Sequence, residues 1–331
     1  MHCPRLDHFV RLNTNGSVGR CGHMEDPKGF KNFEELEHSQ WLAEIKSKMS
    51  KDEWPAECVR CQQSEKVKGE SVRTNSIARH KMLKPIMDNY LIVGGVLDNT
   101  CNSACQSCDA TLSTKIGSLS SKNYPRVDNH HVFTKLPRDR IIELDVNGGE
   151  PTASKNYKKI LSDLPENVKI VRMNTNGSRM ISEIEDVLKR NIMVIVTISF
   201  DGVGKVHDYT RWPIKWENYK QTVDAYQDLQ KKYKLLQLDM WTTVSCLNVQ
   251  NLPDIINFAK NKNIPHDWAF LHLPSELSVR YSNKFTIKAK HISPTEIAID
   301  KNNDAQLDEF IRVQDILRGI DIKDYFNFLP K

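Results

Sequence analysis

Long apolar runs are missing from this 331-residue sequence: the longest, 192–200, is far too short to span a bilayer, and no early segment joins a basic flank to an apolar stretch. The expectation is a cytoplasmic protein without a membrane partner. A strong excess of one charge sign is missing too. With 47 basic against 42 acidic residues the formal charge is +5, which neither demands nor excludes a nucleic-acid partner. Low-complexity tracts and internal repeats are absent, and a composition of 39% hydrophobic and 27% charged residues is ordinary for a globular chain with a sizeable core.

Isolated cysteines are scarce as well: of eight, only Cys246 stands alone. Cys58 and Cys61 are close-set, as are Cys101, Cys105 and Cys108, with Cys3 and Cys21 alongside. Disulfides staple small secreted domains, whereas close-spaced thiols in a larger chain with no export signal point to metal in a reducing compartment.

From residue 90 onward, short apolar runs alternate with amphipathic stretches, the rhythm of strand–helix units around a parallel sheet. Strands are expected at 90–97, 141–146, 169–174, 192–199, 236–244 and 268–273, and helices at 157–164, 181–190, 216–233 and 252–263. The polar stretch 110–140, with Pro125 and Pro137, marks a weak first crossover. Residues 1–85 read as a separate unit: 9–14 and 17–21 flank Asn15-Gly16, a strong hairpin signal, and a helix is expected over 33–49. Beyond Leu273 the chain is polar until Leu307, Phe310, Ile311 and Leu317, which fit one face of a helix ending near Gly319.

The loop Cys101-Asn102-Ser103-Ala104-Cys105-Gln106-Ser107-Cys108 follows the first strand of this core. Closed iron–sulfur and structural zinc sites usually take four protein ligands, so three close thiolates leave one coordination position to something else. A zinc site completed by a distant residue is the alternative, since spacing alone does not name a metal. The second strand runs into Asn147-Gly148-Gly149-Glu150-Pro151, at the edge where parallel sheets place their sites, and two glycines allow close approach of a ligand to the backbone. The third ends in Asn174-Thr175-Asn176-Gly177, and the fourth in Ser199-Phe200-Asp201-Gly202, followed by His207, Asp208 and Arg211.

This Cys-x3-Cys-x2-Cys loop, with the Gly-Gly-Glu-Pro segment and the later strand ends in order, resembles the radical S-adenosylmethionine (radical SAM) superfamily, in particular its sulfatase-maturase and peptide-modifying branch. The resemblance implies an α/β fold, a partial (β/α)6 TIM-like barrel. It further implies a 4Fe-4S cluster on Cys101, Cys105 and Cys108, its fourth iron chelated by S-adenosylmethionine. By the same resemblance, Gly148, Gly149 and Glu150 would meet the methionyl ammonium, Asn176 would border the cofactor, Ser199 would contact its ribose or carboxylate, and Arg211 would pair with the carboxylate. One departure is Ser107, where the family often has an aromatic residue near adenine. His207 reads as a turn or packing residue. Cys246, at the end of the fifth strand, is either a small buried hydrophobe or a hydrogen-atom donor.

Cys3, Cys21, Cys58 and Cys61 together supply four thiolates, enough to close a site. Their order, with Glu65, Gly69, Ser71 and Arg73 after the pair, resembles the SPASM/Twitch auxiliary-cluster module, although such modules usually follow the core rather than precede it. That resemblance implies a second 4Fe-4S cluster, with a structural zinc knuckle as the alternative. The expected organisation is an auxiliary module at 1–85, a radical SAM core at 86–273 and a C-terminal extension at 274–331. The expected activity is reductive cleavage of S-adenosylmethionine to start hydrogen abstraction from a peptide or protein, with an electron donor such as flavodoxin or ferredoxin. A nucleoside, RNA or small-molecule substrate is the second reading, and a zinc-stabilised binding protein the non-enzymatic one.

Overall fold

The computed structural model describes residues 1–25, 28–120, 124–281, 284 and 303–326. Of the expected 274–331 extension, residues 282–283, 285–302 and 327–331 lie outside the described residues. Eight strands form one sheet: β1 (Phe9–Leu12), β2 (Val18–Gly19), β3 (Leu91–Asp98), β4 (Ile141–Gly148), β5 (Ile170–Thr175), β6 (Met193–Ser199), β7 (Leu236–Val244) and β8 (His266–Phe270). Their order is β2-β1-β3-β4-β5-β6-β7-β8, and every adjacent pair is parallel except β1 with β2.

The burial of each strand follows its neighbours. Seven of the eight residues of β3 are buried, as in a strand covered on both faces, whereas β7 alternates buried and open positions and β8 has no buried residue. Helices Lys155–Ser162, Ile184–Lys189, Trp216–Lys232 and Leu252–Asn261 follow β4, β5, β6 and β7, setting Tyr157, Ile160, Val187, Tyr219, Val223, Tyr226 and Ile255 into the main core. No described helix is long and apolar enough to cross a membrane.

Two details of the N-terminal part come from the structure. The first strand of the hairpin extends the sheet: β1 pairs in parallel with β3, from Phe9 opposite Ile92 to Leu12 opposite Gly95. Gly95 makes this approach possible, because at φ +90° it takes a conformation L side chains avoid, and a Cβ there would lie 2.3 Å from the Leu12 carbonyl oxygen. The single helix expected over 33–49 is two, Phe33–Glu37 and Gln40–Ser50. Ser39 separates them, since its hydroxyl accepts the Leu42 N–H at 3.2 Å and so caps a new helix start. The last core strand lies at His266–Phe270 rather than 268–273. Among the described residues the weak crossover holds only short helices, Thr114–Leu119 and His130–Phe133, and the 3-10 turn Arg138–Arg140.

Candidate active site and a second thiol group

The ends of β3, β4, β5 and β6 carry the motifs read from the sequence, and hydrogen bonds tie the first three together. Gly149 N–H donates to the Asp98 carbonyl at 2.8 Å and Glu150 N–H to that of Thr100 at 2.7 Å, which joins the β4 turn to the start of the cysteine loop. A Cβ on Gly149 would come within 2.0 Å of the Thr100 carbonyl oxygen, and one on Gly148 within 2.1 Å of that of Asp98. The glycines thus admit the chain's own backbone where the sequence suggested a ligand.

Ser103 sits between the thiols. Its hydroxyl lies 3.4 Å from the Cys101 sulfur and 3.6 Å from that of Cys105, and it accepts a hydrogen bond from the Asn176 side-chain amide at 3.1 Å. The same amide donates to Asn102 Oδ1 at 2.8 Å. Asn176 therefore grips the cysteine loop from the end of β5. Asn99, almost fully buried, holds the other side: it donates to the carbonyls of Thr111 and Pro125 and accepts from Val127 N–H.

Cys105 is buried, and Cys101 and Cys108 are half-buried. Burial, with the neighbouring thiols second, pushes the Cys101 and Cys108 thiols above their ordinary range. Without a positive centre these groups stay neutral; metal binding must expel their protons. Among the described residues, no group of three or more Cys, His, Asp or Glu side chains is drawn together closely enough to hold an ion.

Arg211 is buried and donates from Nη1 to Asp201 Oδ2 at 2.8 Å, while Asp201 Oδ1 accepts the Thr243 N–H at 2.9 Å. The carboxylate that Arg211 meets is thus the protein's own. Its Nε and the amide nitrogen of Gln106 are buried donors with no partner among the described residues. Such donors suit an acceptor-bearing ligand at the loop, since leaving them unpaired is costly. Gln106 escaped the sequence reading because nothing but its place between two cysteines distinguishes it. Ser199 is half-buried at the end of β6.

His207 is fully buried among the rings of Tyr219 and Trp216, with the Gly202 backbone beside it. That is a packing position. Cys246 is buried in an apolar cluster with Tyr209, Leu247, Leu277 and Leu307, and burial raises its thiol far above the ordinary range.

The four front cysteines line one small void of about 20 Å³, together with Arg5, His23, Met24 and Trp54. Burial pushes the Cys3 thiol up to about 11 and that of Cys58 up to about 12, with the other thiols adding to both. A clamp closes this group from one side: Arg73 donates to Glu65 through Nε at 2.9 Å and Nη2 at 2.6 Å, and to the His2 carbonyl at 3.0 Å. Ser71 donates to the same Glu65 at 2.6 Å while capping the Val72–Leu83 helix.

No family model matches this chain, and no curated protein matches it. Among solved structures it is similar to native anSMEcpe with bound AdoMet, at 18% identity and a TM-score of 0.44, over 69% of this chain and 62% of that one. It is also similar to Streptococcus suis SuiB bound to S-adenosylmethionine, at 12% identity and a TM-score of 0.40, over 95% of this chain and 69% of that one. SuiB bound to precursor peptide SuiA gives 12% identity and a TM-score of 0.43, over 96% and 70%. The motif order along β3 to β6 is what resembles a radical SAM core.

Proposed function

We propose that this protein is a radical SAM enzyme acting on a peptide or protein substrate. The observation that carries the proposal is the joining of the loop that bears Cys101, Cys105 and Cys108 to the ends of β4 and β5, with Ser103 linking the Cys101 and Cys105 thiols to Asn176, and Thr100 and Asn176 meeting Glu150. Three thiols on one loop are, by donor chemistry, the ligand type of an iron–sulfur cluster. In this reading β3 to β8 are a partial (β/α)6 barrel, residues 1–85 an auxiliary module, 86–273 the core and 274–331 an extension.

When bound, the cluster and S-adenosylmethionine supply one-electron cleavage of the sulfonium and removal of a hydrogen atom from the substrate. The chain's own residues hold and shield. Cys101, Cys105 and Cys108 are the ligands, and Ser103 and Asn176 keep two of those sulfurs in place. The amides of Gly149 and Glu150 are occupied by Asp98 and Thr100, so a methionyl ammonium would meet this edge through carbonyl oxygens, as an ammonium only donates. Gln106 and Arg211 Nε offer donors to its carboxylate. Ser199 borders the ribose. An external donor of the flavodoxin or ferredoxin kind supplies the electron.

For Cys3, Cys21, Cys58 and Cys61 we propose a second 4Fe-4S cluster. Zinc is the second reading here, favoured by the void of about 20 Å³, which is room for roughly one water molecule. Anaerobic reconstitution separates these outcomes. Iron and sulfide on both groups, with 5'-deoxyadenosine released on adding reductant and S-adenosylmethionine and lost in Cys105→Ala, is the expected result; protein that takes up only zinc would falsify the enzymatic reading.

A further inference from the structure

Cys105 is held from two sides. Its flanking amides point one way, Ala104 N–H to the Trp212 carbonyl at 2.7 Å and Gln106 N–H to that of Thr210 at 2.9 Å. The carbonyls of Ala104 and Cys105 point to a residue 213 positions beyond Cys105: Arg318 donates through Nε to Ala104 at 2.8 Å and through Nη2 to Cys105 at 3.3 Å.

Arg318 ends the Asp304–Arg318 helix and is only 6% exposed. A basic residue at a helix end ordinarily turns back on the last carbonyls. Here only Nη1 does so, meeting the Gln314 carbonyl at 3.1 Å and the Gln314 side chain. The helix is seated without it. Leu307 and Ile311 pack into the cluster with Tyr209 and Cys246, while Asp315 accepts from the Tyr209 hydroxyl at 2.7 Å and from Ile322 N–H at 2.8 Å. A buried guanidinium that crosses to another element adds directional hydrogen bonds rather than helix anchoring.

We propose that Arg318 is a positioning residue: it passes the seating of the C-terminal helix to the peptide planes of Ala104 and Cys105, and thereby aims the Cys105 thiol. The use of that thiol rests on the reading above; the positioning does not. Lysine cannot replace the fork, because one ammonium reaches the two carbonyls less well than Nε and Nη2 together.

Hydrogen exchange on the full chain, purified without iron, tests the placement. In Arg318→Met the amides of Ala104 and Gln106 should exchange about 10-fold faster, the scale of a lost charge-assisted hydrogen bond, with Arg318→Lys intermediate. The amides of the Asp304–Arg318 helix should stay near wild type. Unchanged exchange in the loop overturns the proposal, and so does an equal rise across loop and helix, which would mean plain undocking.

A second measurement is the midpoint potential of protein reconstituted with iron and sulfide in a Cys58→Ser, Cys61→Ser background. Arg318→Met should shift it to more negative values, since a buried positive charge beside Cys105 is lost, and Arg318→Lys should largely restore it. A helix-end cap alone predicts no shift and would overturn the proposal. Failure of every version to take up iron would defeat the enzymatic reading and leave the exchange data to decide on Arg318.

Discussion

Glu150 accepts the backbone N–H of Asn176 on Oε2 at 2.6 Å, so one buried carboxylate joins the turn after β4 to the end of β5. Its Oε1 accepts from Thr175 Oγ1 at 2.9 Å, Thr152 Oγ1 at 2.9 Å and Thr152 N–H at 3.1 Å. Every partner donates, so the position calls for a group that only accepts. Burial pushes this carboxyl above its usual range, against the pull of those donors.

Replacing it leaves buried donors unpaired. Glu150→Ala should lower unfolding free energy by about 3 kcal/mol, and Glu150→Gln by less, because the amide presents its NH2 to other donors. Urea titration of both variants checks this; a loss below about 1 kcal/mol for the alanine would contradict the bracing role.

His207 carries a pH dependence. Burial, with Arg211 second, pushes its imidazole from 6.5 down to about 3. The unfolded chain takes a proton below pH 6.5 while the folded one does not, so this group's contribution is intact above that pH and lost progressively as pH falls toward 3. Between pH 7 and 5 the loss is about 2 kcal/mol. In His207→Leu that part of the slope should vanish, and an unchanged slope in paired denaturant titrations would refute it.

Cys246 distinguishes packing from radical chemistry. Cys246→Ala should cost about 1 kcal/mol of stability through a small cavity and leave substrate turnover intact. Loss of turnover with retained cleavage of S-adenosylmethionine would instead make it the hydrogen donor.

Arg73 tests the front thiol group. Breaking its link between Glu65 and the His2 carbonyl frees the segment bearing Cys3, so Arg73→Met should release metal to a chelator about 10-fold faster. The metal on Cys101, Cys105 and Cys108 should be released at the wild-type rate, followed by absorbance during chelator challenge.

The strand–helix rhythm was legible because apolar positions recur with the period of each element: β7 at Leu236–Val244, which alternates buried and open residues, coincides with its expected span, and the Trp216–Lys232 helix differs by one residue at its end. Less legible was the C-terminal helix. Leu307, Phe310, Ile311 and Leu317 marked its face by hydropathy, yet its deepest stripe is Leu307, Ile311, Asp315 and Arg318, with Leu317 37% exposed. Polar side chains take those positions because their partners, Tyr209 and the Ala104 carbonyl, come from distant parts of the chain.

Residue order alone determined that strands and helices alternate beyond residue 90 and roughly where most of them lie, since these follow from local spacing and periodicity. Only the tertiary structure decided that β1 joins β3, that Arg211 faces Asp201, that Asn176 holds the cysteine loop, and that Arg318 lies against Cys105. Those pairings depend on which buried donors meet which acceptors once the sheet has formed, and one-dimensional spacing holds no record of that geometry.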